Sequence, residues 1–388
     1  MKLLRVHVIS AATCGGLLDN LDLRLRSPLG EQTLFDPLCL VGPNGAGKSQ
    51  FLQVLAEMFQ SAFYACLKAE ERIEGNPDLQ FELEYLIRPD NGSDPIRVRI
   101  SRKAEGKSRP TILIQKRDGY DWIDCDVNDP ETYRLLPQKI VGYTSGENET
   151  LSLPFLISRS GYASDVTETA LDDTKRHQNV PDTRLMLIDY ATHLEVLVAN
   201  LLLGTNNQRK ALLEDAKLKS LHSFRCIVQL AHSAAPNAPK KKGATNKRKG
   251  IQLTDELEAY LDQLQRCATC YSYDDKTETY VFDYWINDQT REAFSTFWDS
   301  ALGLYSAFHK LAMLNDLVIP KKTRERFRRD TEKRRFATRL PEPQDEDKAF
   351  RFERVSFISK KGDAIVDYVS LSDGEHQLGQ ILGTFCML

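Results

Sequence analysis

The sequence lacks any long apolar run. No stretch of about 18 consecutive apolar residues occurs in it, and a membrane-spanning helix needs roughly that length, so we expect no membrane association. Residues 1–13 carry charges and no clear cleavage site, so we interpret them as a first strand and not as a signal peptide. The chain also lacks a strong charge of either sign. Its formal net charge is −3, so no global positive field attracts nucleic acid.

A framework of paired cysteines is missing as well. The eight cysteines are scattered over 388 residues, and a chain of this size needs no disulfide bonds, so we expect a cytoplasmic protein in a reducing compartment. Cys267 and Cys270 form a lone C-x-x-C motif with no second pair nearby. Because a structural zinc site needs four ligands, we interpret these two cysteines as buried or incidental residues.

The sequence does contain enough apolar residues for a sizeable core, since 41% of it is hydrophobic and 28% is charged. Apolar patterning predicts strands at residues 3–9, 21–25, 36–41, 79–87, 96–100, 111–115, 140–144, 278–286, 351–358 and 364–369. It predicts helices at residues 50–72, 184–204, 207–222, 254–266, 290–317 and 373–388.

The most informative motif lies near the N-terminus. Residues 42–49 read GPNGAGKS, which fits the phosphate-binding pattern G-x-x-x-x-G-K-[ST] without a mismatch. In this pattern glycines let backbone N–H groups surround an anion, the lysine reaches the β- and γ-phosphates, and the hydroxyl suits Mg²⁺. We therefore predict ATP and Mg²⁺ as cofactors. The predicted nucleotide-binding residues are Asn44, Gly45, Ala46, Gly47, Lys48, Ser49 and Gln50, with Ser49 as the metal ligand and Lys48 also catalytic.

A second motif, LSDGEHQ, occupies residues 371–377. Ser372 offers a hydroxyl, Gly374 permits close approach of a backbone, and the start of the following helix favours an anion. Taken alone, the motif also fits a plain helix N-cap, because Ser372 and Glu375 have the spacing of a capping box.

Together the two motifs resemble the ATPase heads of the ABC class, and within it the SMC and RecF-like branch. The pattern is also similar to AAA-type ATPases of restriction systems and of anti-phage systems such as Septu PtuA and the overcoming-lysogenization-defect type. This resemblance implies that Ser372, Gly374 and Glu375 contact the ATP of a second protomer. It therefore implies a homodimer or higher oligomer joined by ATP between the heads, and a partner nuclease that the ATPase controls.

A third segment, IVGYTSGENETL at residues 140–151, resembles the Q-loop of RecF-like heads. Ser145 stands where that family has a glutamine. We consider Glu147 and Asn148 as substitutes, and name Glu147 as a second catalytic candidate. A polar loop that merely follows a strand explains the same residues.

Heads of this class need a Walker B strand, with four apolar residues and then Asp-Glu, after the signature helix. The sequence reaches Leu388 before such a strand. We therefore expect a fragment or a second half on another chain, with weak ATP binding and negligible hydrolysis by these residues alone. Only a chain that continues to Walker B is expected to be an ATPase. Leu185–Asp189 has a similar composition, but it precedes the signature and lacks the glutamate, so we interpret it as the start of a helix.

These observations predict an α/β fold, namely a P-loop NTPase with an ABC-type head containing a mixed sheet. Residues 1–164 would form the N-terminal part of the head, residues 165–345 a mostly helical insertion, and residues 346–388 the return segment with the signature.

Two basic stretches are candidates for contact with nucleic acid. Residues 321–335 contain nine Lys or Arg against three acids, and residues 240–249 contain six basic residues and no acid. Either stretch could neutralise phosphates of DNA without reading bases. A solvated helix and a loop, respectively, are the alternatives.

The predicted function is an ATP-dependent switch that controls a DNA-acting partner in anti-phage defence or a restriction system. Two alternatives remain. One is a RecF- or SMC-like DNA-repair ATPase that binds duplex DNA, although the sequence has no sustained heptads. The other is a regulatory or structural subunit that binds nucleotide without turnover.

Overall fold

The computed structural model is a mixed α/β protein. It describes residues 1–11, 15–27, 36–90, 93–104, 106, 109–144, 148–189, 192–231, 250–332 and 343–387. The chain divides into two compact units. The first unit consists of Met1–Gly142, Glu147–Tyr162 and Pro181–Leu187; the second consists of Tyr143–Gly146, Ala163–Val180 and Ile188–Leu388. No helix in the described part of the chain is long and apolar enough to cross a bilayer.

The first unit is built on a six-stranded sheet and a long helix. Its strands are β1 (Lys2–Ser10), β2 (Leu21–Arg24), β3 (Gln80–Ile87), β4 (Ile96–Arg102), β5 (Ile112–Asp118) and β6 (Asp121–Cys125), and its helices include α1 (Lys48–Cys66) and α2 (Pro130–Tyr133). The strand order is β2-β1-β3-β4-β5-β6, and every pair is antiparallel. Alternate residues of β1 such as Val6 and Val8 enter one core with Phe59 and Phe63 of α1.

The structure confirms most of the strands expected in this unit but not the one at residues 36–41. This segment has no regular secondary structure, and the side chain of Val41 is 93% exposed. An apolar run becomes a strand only where a neighbour supplies hydrogen bonds, and the six-stranded sheet does not include these residues. The phosphate-loop motif therefore follows an irregular segment.

A short two-stranded sheet corrects the expectation of a helix from residue 184. Strands β7 (Ile140–Tyr143) and β8 (Leu185–Ile188) pair with each other and are separated along the chain by α3 (Glu149–Thr169). The N–H of Ile140 donates to Arg184 at 2.8 Å, and the N–H of Thr144 donates to Ile188 at 3.3 Å. The donor and the acceptor are the same number of residues apart in the two bonds, as is expected for parallel strands. All four residues of β8 are buried, and a short apolar run does not distinguish a buried strand from a buried helix.

The second unit combines a five-stranded antiparallel sheet with helices. Its strands are β9 (Leu218–Gln229), β10 (Cys270–Asp274), β11 (Thr279–Trp285), β12 (Phe350–Ser359) and β13 (Ile365–Asp367), in the order β10-β11-β9-β12-β13. Its helices are α4 (His193–Leu203), α5 (Asn206–Glu214), α6 (Asp255–Cys267), α7 (Asp288–Phe297), α8 (Ala301–Met313), α9 (Lys321–Glu332) and α10 (Asp373–Met387). Residues 165–345 thus contribute three strands to this sheet as well as helices.

Two long helices expected in this unit are interrupted. The helix expected at 207–222 stops at Glu214, because Lys217 adopts a positive φ of 53° and the chain continues as β9. The helix expected at 290–317 is broken between α7 and α8, where the hydroxyl of Ser300 accepts a hydrogen bond from the N–H of Gly303 and begins a new helix.

A buried ion pair holds the centre of the first sheet. The side chain of Glu84 is only 4% exposed, and Arg97 and Arg99 of the neighbouring strand each contact one of its oxygens, at 2.5 and 2.9 Å. The guanidinium of Arg99 also lies 4.0 Å from the ring of Trp122. Burial alone would raise the pKa of Glu84, but the hydrogen bonds from the two arginines outweigh it and lower that pKa.

We expect Glu84→Ala to lower the free energy of unfolding at neutral pH by about 2–3 kcal/mol, because it leaves two guanidiniums facing each other. Urea unfolding measures this, and Glu131→Ala is the matched control, since its carboxylate is 75% exposed and 3.4 Å from Arg134. Glu84 adds to the free energy of unfolding at pH values above the pKa that it has in the unfolded chain. This stabilisation is lost as the pH falls through its lower pKa in the folded chain. Equal losses for both variants would contradict the assignment.

Candidate nucleotide-binding site

The glycine-rich motif forms an exposed loop that leads directly into α1. Residues 42–46 are exposed, and the N–H of Ala46 donates to the carbonyl of Pro43 at 3.3 Å. Gly45 and Gly47 have φ angles of 82° and 83°, which side-chain-bearing residues rarely adopt. The two glycines therefore permit the loop to curve back before the helix begins.

Gly47 has a second requirement in addition to its backbone angle. It is the N-cap residue of α1, and a Cβ built on it would lie 3.3 Å from Leu17 and 3.4 Å from Leu18. No described atom lies within 4 Å of a Cβ built on Gly45. Residues 17 and 18 therefore pack closely against the end of the loop. The sequence of the motif alone does not predict this contact.

We expect Gly47→Ala to lower the free energy of unfolding by about 2–3 kcal/mol and Gly45→Ala to lower it by about 1 kcal/mol. Both alanines would be strained by the left-handed backbone, but only the one at position 47 would also be crowded by neighbouring side chains. Chemical denaturation of the two variants measures the difference. If Gly45→Ala proved the more destabilising variant, the packing of the loop against Leu17 and Leu18 would be wrong.

The ammonium group of Lys48 lies against the loop itself. Its Nζ donates to the carbonyl oxygens of Gly42 and Pro43, both at 2.8 Å. The N-cap has no side-chain hydrogen bond, and the first turn of α1 contains no acidic residue. Because the first N–H groups of a helix have no partner within it, this end presents N–H donors and a positive dipole together with the ammonium. Such an arrangement can bind a phosphate group.

The residues present fit ATP and Mg²⁺. The exposed loop leaves the approach to Lys48 open, and Ser49 supplies a hydroxyl in the first turn of α1 with Gln50 beside it. No group of three or more His, Cys, Asp or Glu residues in the described ranges is arranged to hold a metal. For Mg²⁺, the loop itself would offer the Ser49 hydroxyl beside the phosphate oxygens that arrive with the ion.

The second motif begins α10 in the second unit, and the capping box expected as its simpler explanation is formed. The carboxylate of Glu375 accepts from the N–H and the hydroxyl of Ser372, both at 2.8 Å, and the N–H of Glu375 lies 3.4 Å from the Ser372 hydroxyl. These hydrogen bonds lower the pKa of Glu375, and the bond from the backbone N–H of Ser372 has the largest effect. Gly374 is exposed, and no described atom lies within 4 Å of a Cβ built on it.

The histidine beside this motif is packed into the second unit. His376 is buried, its Nε2 lies 2.9 Å from the carbonyl of Tyr368, and the two rings stack with centroids 4.3 Å apart. Asn200 of α4 donates to the carbonyl of Gly383 at 2.9 Å. The motif is therefore an exposed helix start whose following turns are anchored in the interior.

The other candidate residues lie partly outside the described ranges. Ser145 and Glu147 lie outside the described residues, while the side chain of Asn148 accepts from the N–H of Leu151 at 3.1 Å, at the start of α3. Cys267 is buried at the end of α6, and Cys270 is exposed at the start of β10. Burial raises the pKa of the Cys267 thiol to about 12, so this thiol is unreactive at neutral pH.

The first basic stretch is a solvent-facing helix, α9, in its described part. Arg326 and Arg329 are exposed, Arg326 lies 3.7 Å from Asp330, and Arg328 donates to Ser164 at 3.4 Å. Residues 240–249 and 333–335 lie outside the described ranges. Contact between this helix and phosphates stays a prediction.

No protein-family model, curated protein or solved structure matches this chain.

Proposed function

We propose that this chain is an ATP-binding switch subunit whose nucleotide site is the loop of residues 42–49. The observation that supports it is the position of the Lys48 ammonium, 2.8 Å from two carbonyls of a glycine loop at the uncapped start of α1. In this proposal the loop amides and Lys48 hold the phosphates and Ser49 holds Mg²⁺.

The switch is proposed to act by joining two copies of the chain. Ser372 and Gly374 are exposed at the start of α10, and no described atom lies within 4 Å of a Cβ built on Gly374, so a second copy can approach the backbone there. The resemblance to ABC-class heads supports this arrangement, as well as a role in controlling a DNA-acting nuclease in defence against phage or in a restriction system.

The proposal predicts that MgATP increases the mass of the particle in solution, and that Gly374→Gln prevents this increase. A glutamine at this exposed position fits the helix but obstructs the close approach of a second copy. Gly379→Gln is the matched control, because Gly379 lies on the same helix and a Cβ there also has no described atom within 4 Å. Light scattering with and without MgATP measures the mass.

Loss of association in both glycine variants would show that α10 tolerates no glutamine, and association in both would remove Gly374 from the interface. Duplex DNA binding that is the same with and without ATP would favour the RecF-like alternative instead. That measurement uses the wild-type chain and a labelled duplex at several salt concentrations.

A further inference from the structure

The second unit contains a cavity that is lined by basic side chains, and all of its lining residues belong to that unit. Its volume is about 250 Å³, and five of its eleven lining residues are basic. These basic residues come from α5, the start of β9, α7 and the segment after β12, and we call the site the basic cavity. They are Arg209, Lys210, Lys219, Arg291 and Lys360.

The positive charge of the basic cavity is only partly balanced. No acidic residue is among its described lining residues. Lys219 pairs with Asp363 at 2.9 Å, and Arg291 pairs with Asp288 at 3.0 Å, but both carboxylates are more than half exposed. Exposed ion pairs of this kind are weak and open easily. The cavity therefore keeps a positive potential toward an incoming ligand.

Two arginines that line the cavity have only neutral or exposed partners: Arg209 donates to the backbone and to an asparagine, and Arg291 pairs with the exposed Asp288. The pKa of Arg209 is lowered, chiefly by burial and further by the positive charge of Arg291. Nε of Arg291 is buried and has no hydrogen-bond partner in the described structure. Like charges brought together, with a donor left unsatisfied, are unfavourable unless an anion binds between them. Arg209 is oriented by a 2.6 Å hydrogen bond to the carbonyl of Gly204 and by a second one to the side-chain oxygen of Asn206.

Four buried leucines also line the cavity. Apolar walls beside guanidinium groups strengthen the hydrogen bonds that these groups donate, because less water competes for them. Arginine matches phosphate better than most anions, since its planar donors bind two oxygens at once.

We propose that the basic cavity binds a phosphate-bearing ligand through Arg209 and Arg291, with Lys210, Lys219 and Lys360 around the opening. The phosphate comes either from a free oligophosphate or from the backbone of a nucleic acid. This site is independent of the proposed nucleotide site, so the proposal stands whether or not residues 42–49 bind ATP.

The experiment uses the full chain with Lys48→Ala, so that residues 42–49 contribute little to the signal. Binding of tripolyphosphate is measured by calorimetry, and binding of a labelled single-stranded oligonucleotide by fluorescence anisotropy over a range of salt concentrations. We expect Arg209→Gln with Arg291→Gln to weaken binding by about tenfold or more. Arg266→Gln with Lys276→Gln is the control, since it removes two exposed charges of the same unit outside the cavity.

A second double variant tests the same site in case the first one fails to fold. Lys210→Gln with Lys360→Gln changes two exposed side chains at the opening, and we expect a loss of at least about threefold and a smaller salt dependence. Weaker binding of tripolyphosphate identifies a free oligophosphate as the ligand, whereas weaker binding of the oligonucleotide alone identifies a nucleic-acid backbone. Both probes binding to the two cavity variants as tightly as to the control would overturn the proposal.

Discussion

Lys48→Ala weakens the binding of MgATP by roughly 30- to 150-fold, if the loop of residues 42–49 holds the phosphates. This range corresponds to about 2–3 kcal/mol, the usual contribution of a hydrogen bond to a charged group in a partly desolvated site. The structure supports a large effect, because Lys48 is the cation that the loop carbonyls of Gly42 and Pro43 orient at the start of α1.

Competition with a fluorescent ATP analogue measures this loss in the purified chain. Lys68→Ala is the matched control, because Lys68 is an exposed lysine just beyond the opposite end of the same helix. We expect the control to bind MgATP within about twofold of the wild type, since a solvated charge this far from the ligand is largely screened. Equal affinities for the Lys48 variant and the wild type would place the nucleotide elsewhere.

The same substitution is expected to leave the fold nearly unchanged. Lys48 donates only to carbonyl oxygens of an exposed loop, and water can replace those hydrogen bonds at little cost. We expect a change of less than about 1 kcal/mol in the free energy of unfolding. A loss of binding accompanied by unfolding would therefore not be evidence for a phosphate contact.

The parts of the structure that the sequence predicts well are those with a local cause. The capping box of Ser372 and Glu375 depends on two residues three positions apart, and it is formed as the spacing indicates. The positive φ angles of Gly45 and Gly47 likewise follow from a glycine pattern within a few residues.

The parts that it predicts poorly depend on distant partners. Residues 36–41 and 185–188 are both short apolar runs, yet the first has no strand beside it and the second pairs with β7, more than 40 residues earlier in the chain. A short apolar run does not by itself determine a strand, so the tertiary neighbours decide between the two outcomes.

The basic cavity could not be predicted from the sequence, because it too depends on residues that are distant in the chain. Arg209 and Lys360 lie far apart in the chain, and their neighbours in sequence form no motif. The antiparallel pairing of β9 with β12 brings the turn after β12 next to the start of β9, and this pairing cannot be derived from composition. A sequence search for charge clusters instead finds α9, most of whose cations are exposed to solvent.

A second large effect concerns Glu71, a carboxyl group buried in the first unit. Its side chain is fully buried, and Oε2 accepts a 2.6 Å hydrogen bond from the hydroxyl of Ser158 in α3. Burial raises the pKa of Glu71 from 4.5 to about 7, although the hydrogen bonds from Ser158 and Gln60 oppose this shift. The folded chain therefore binds a proton at this site more tightly than the unfolded chain does.

The sign of the pH dependence follows from this difference. Between pH 4.5 and about 7 the folded state keeps a proton that the unfolded state has lost, so this site makes the protein less stable as pH rises through that window. Above pH 7 both states are ionised, and the accumulated cost is constant at about 3 kcal/mol. Glu71→Gln removes the charge with little change in shape. We therefore expect it to be nearly neutral at pH 4 and to raise the free energy of unfolding by about 3 kcal/mol at pH 8.

Urea unfolding of both proteins across this pH range isolates the contribution of Glu71, because all other titrating groups cancel in the difference between them. Glu131→Gln serves as the control, since an exposed glutamate has no burial penalty and should give a difference that does not change with pH. A Glu71→Gln difference that stayed flat from pH 4 to pH 8 would mean that water reaches this carboxyl group. It would then be ionised in the folded protein at neutral pH without penalty, and the segment between α1 and β3 would be less tightly packed against α3 than its hydrogen bond to Ser158 indicates.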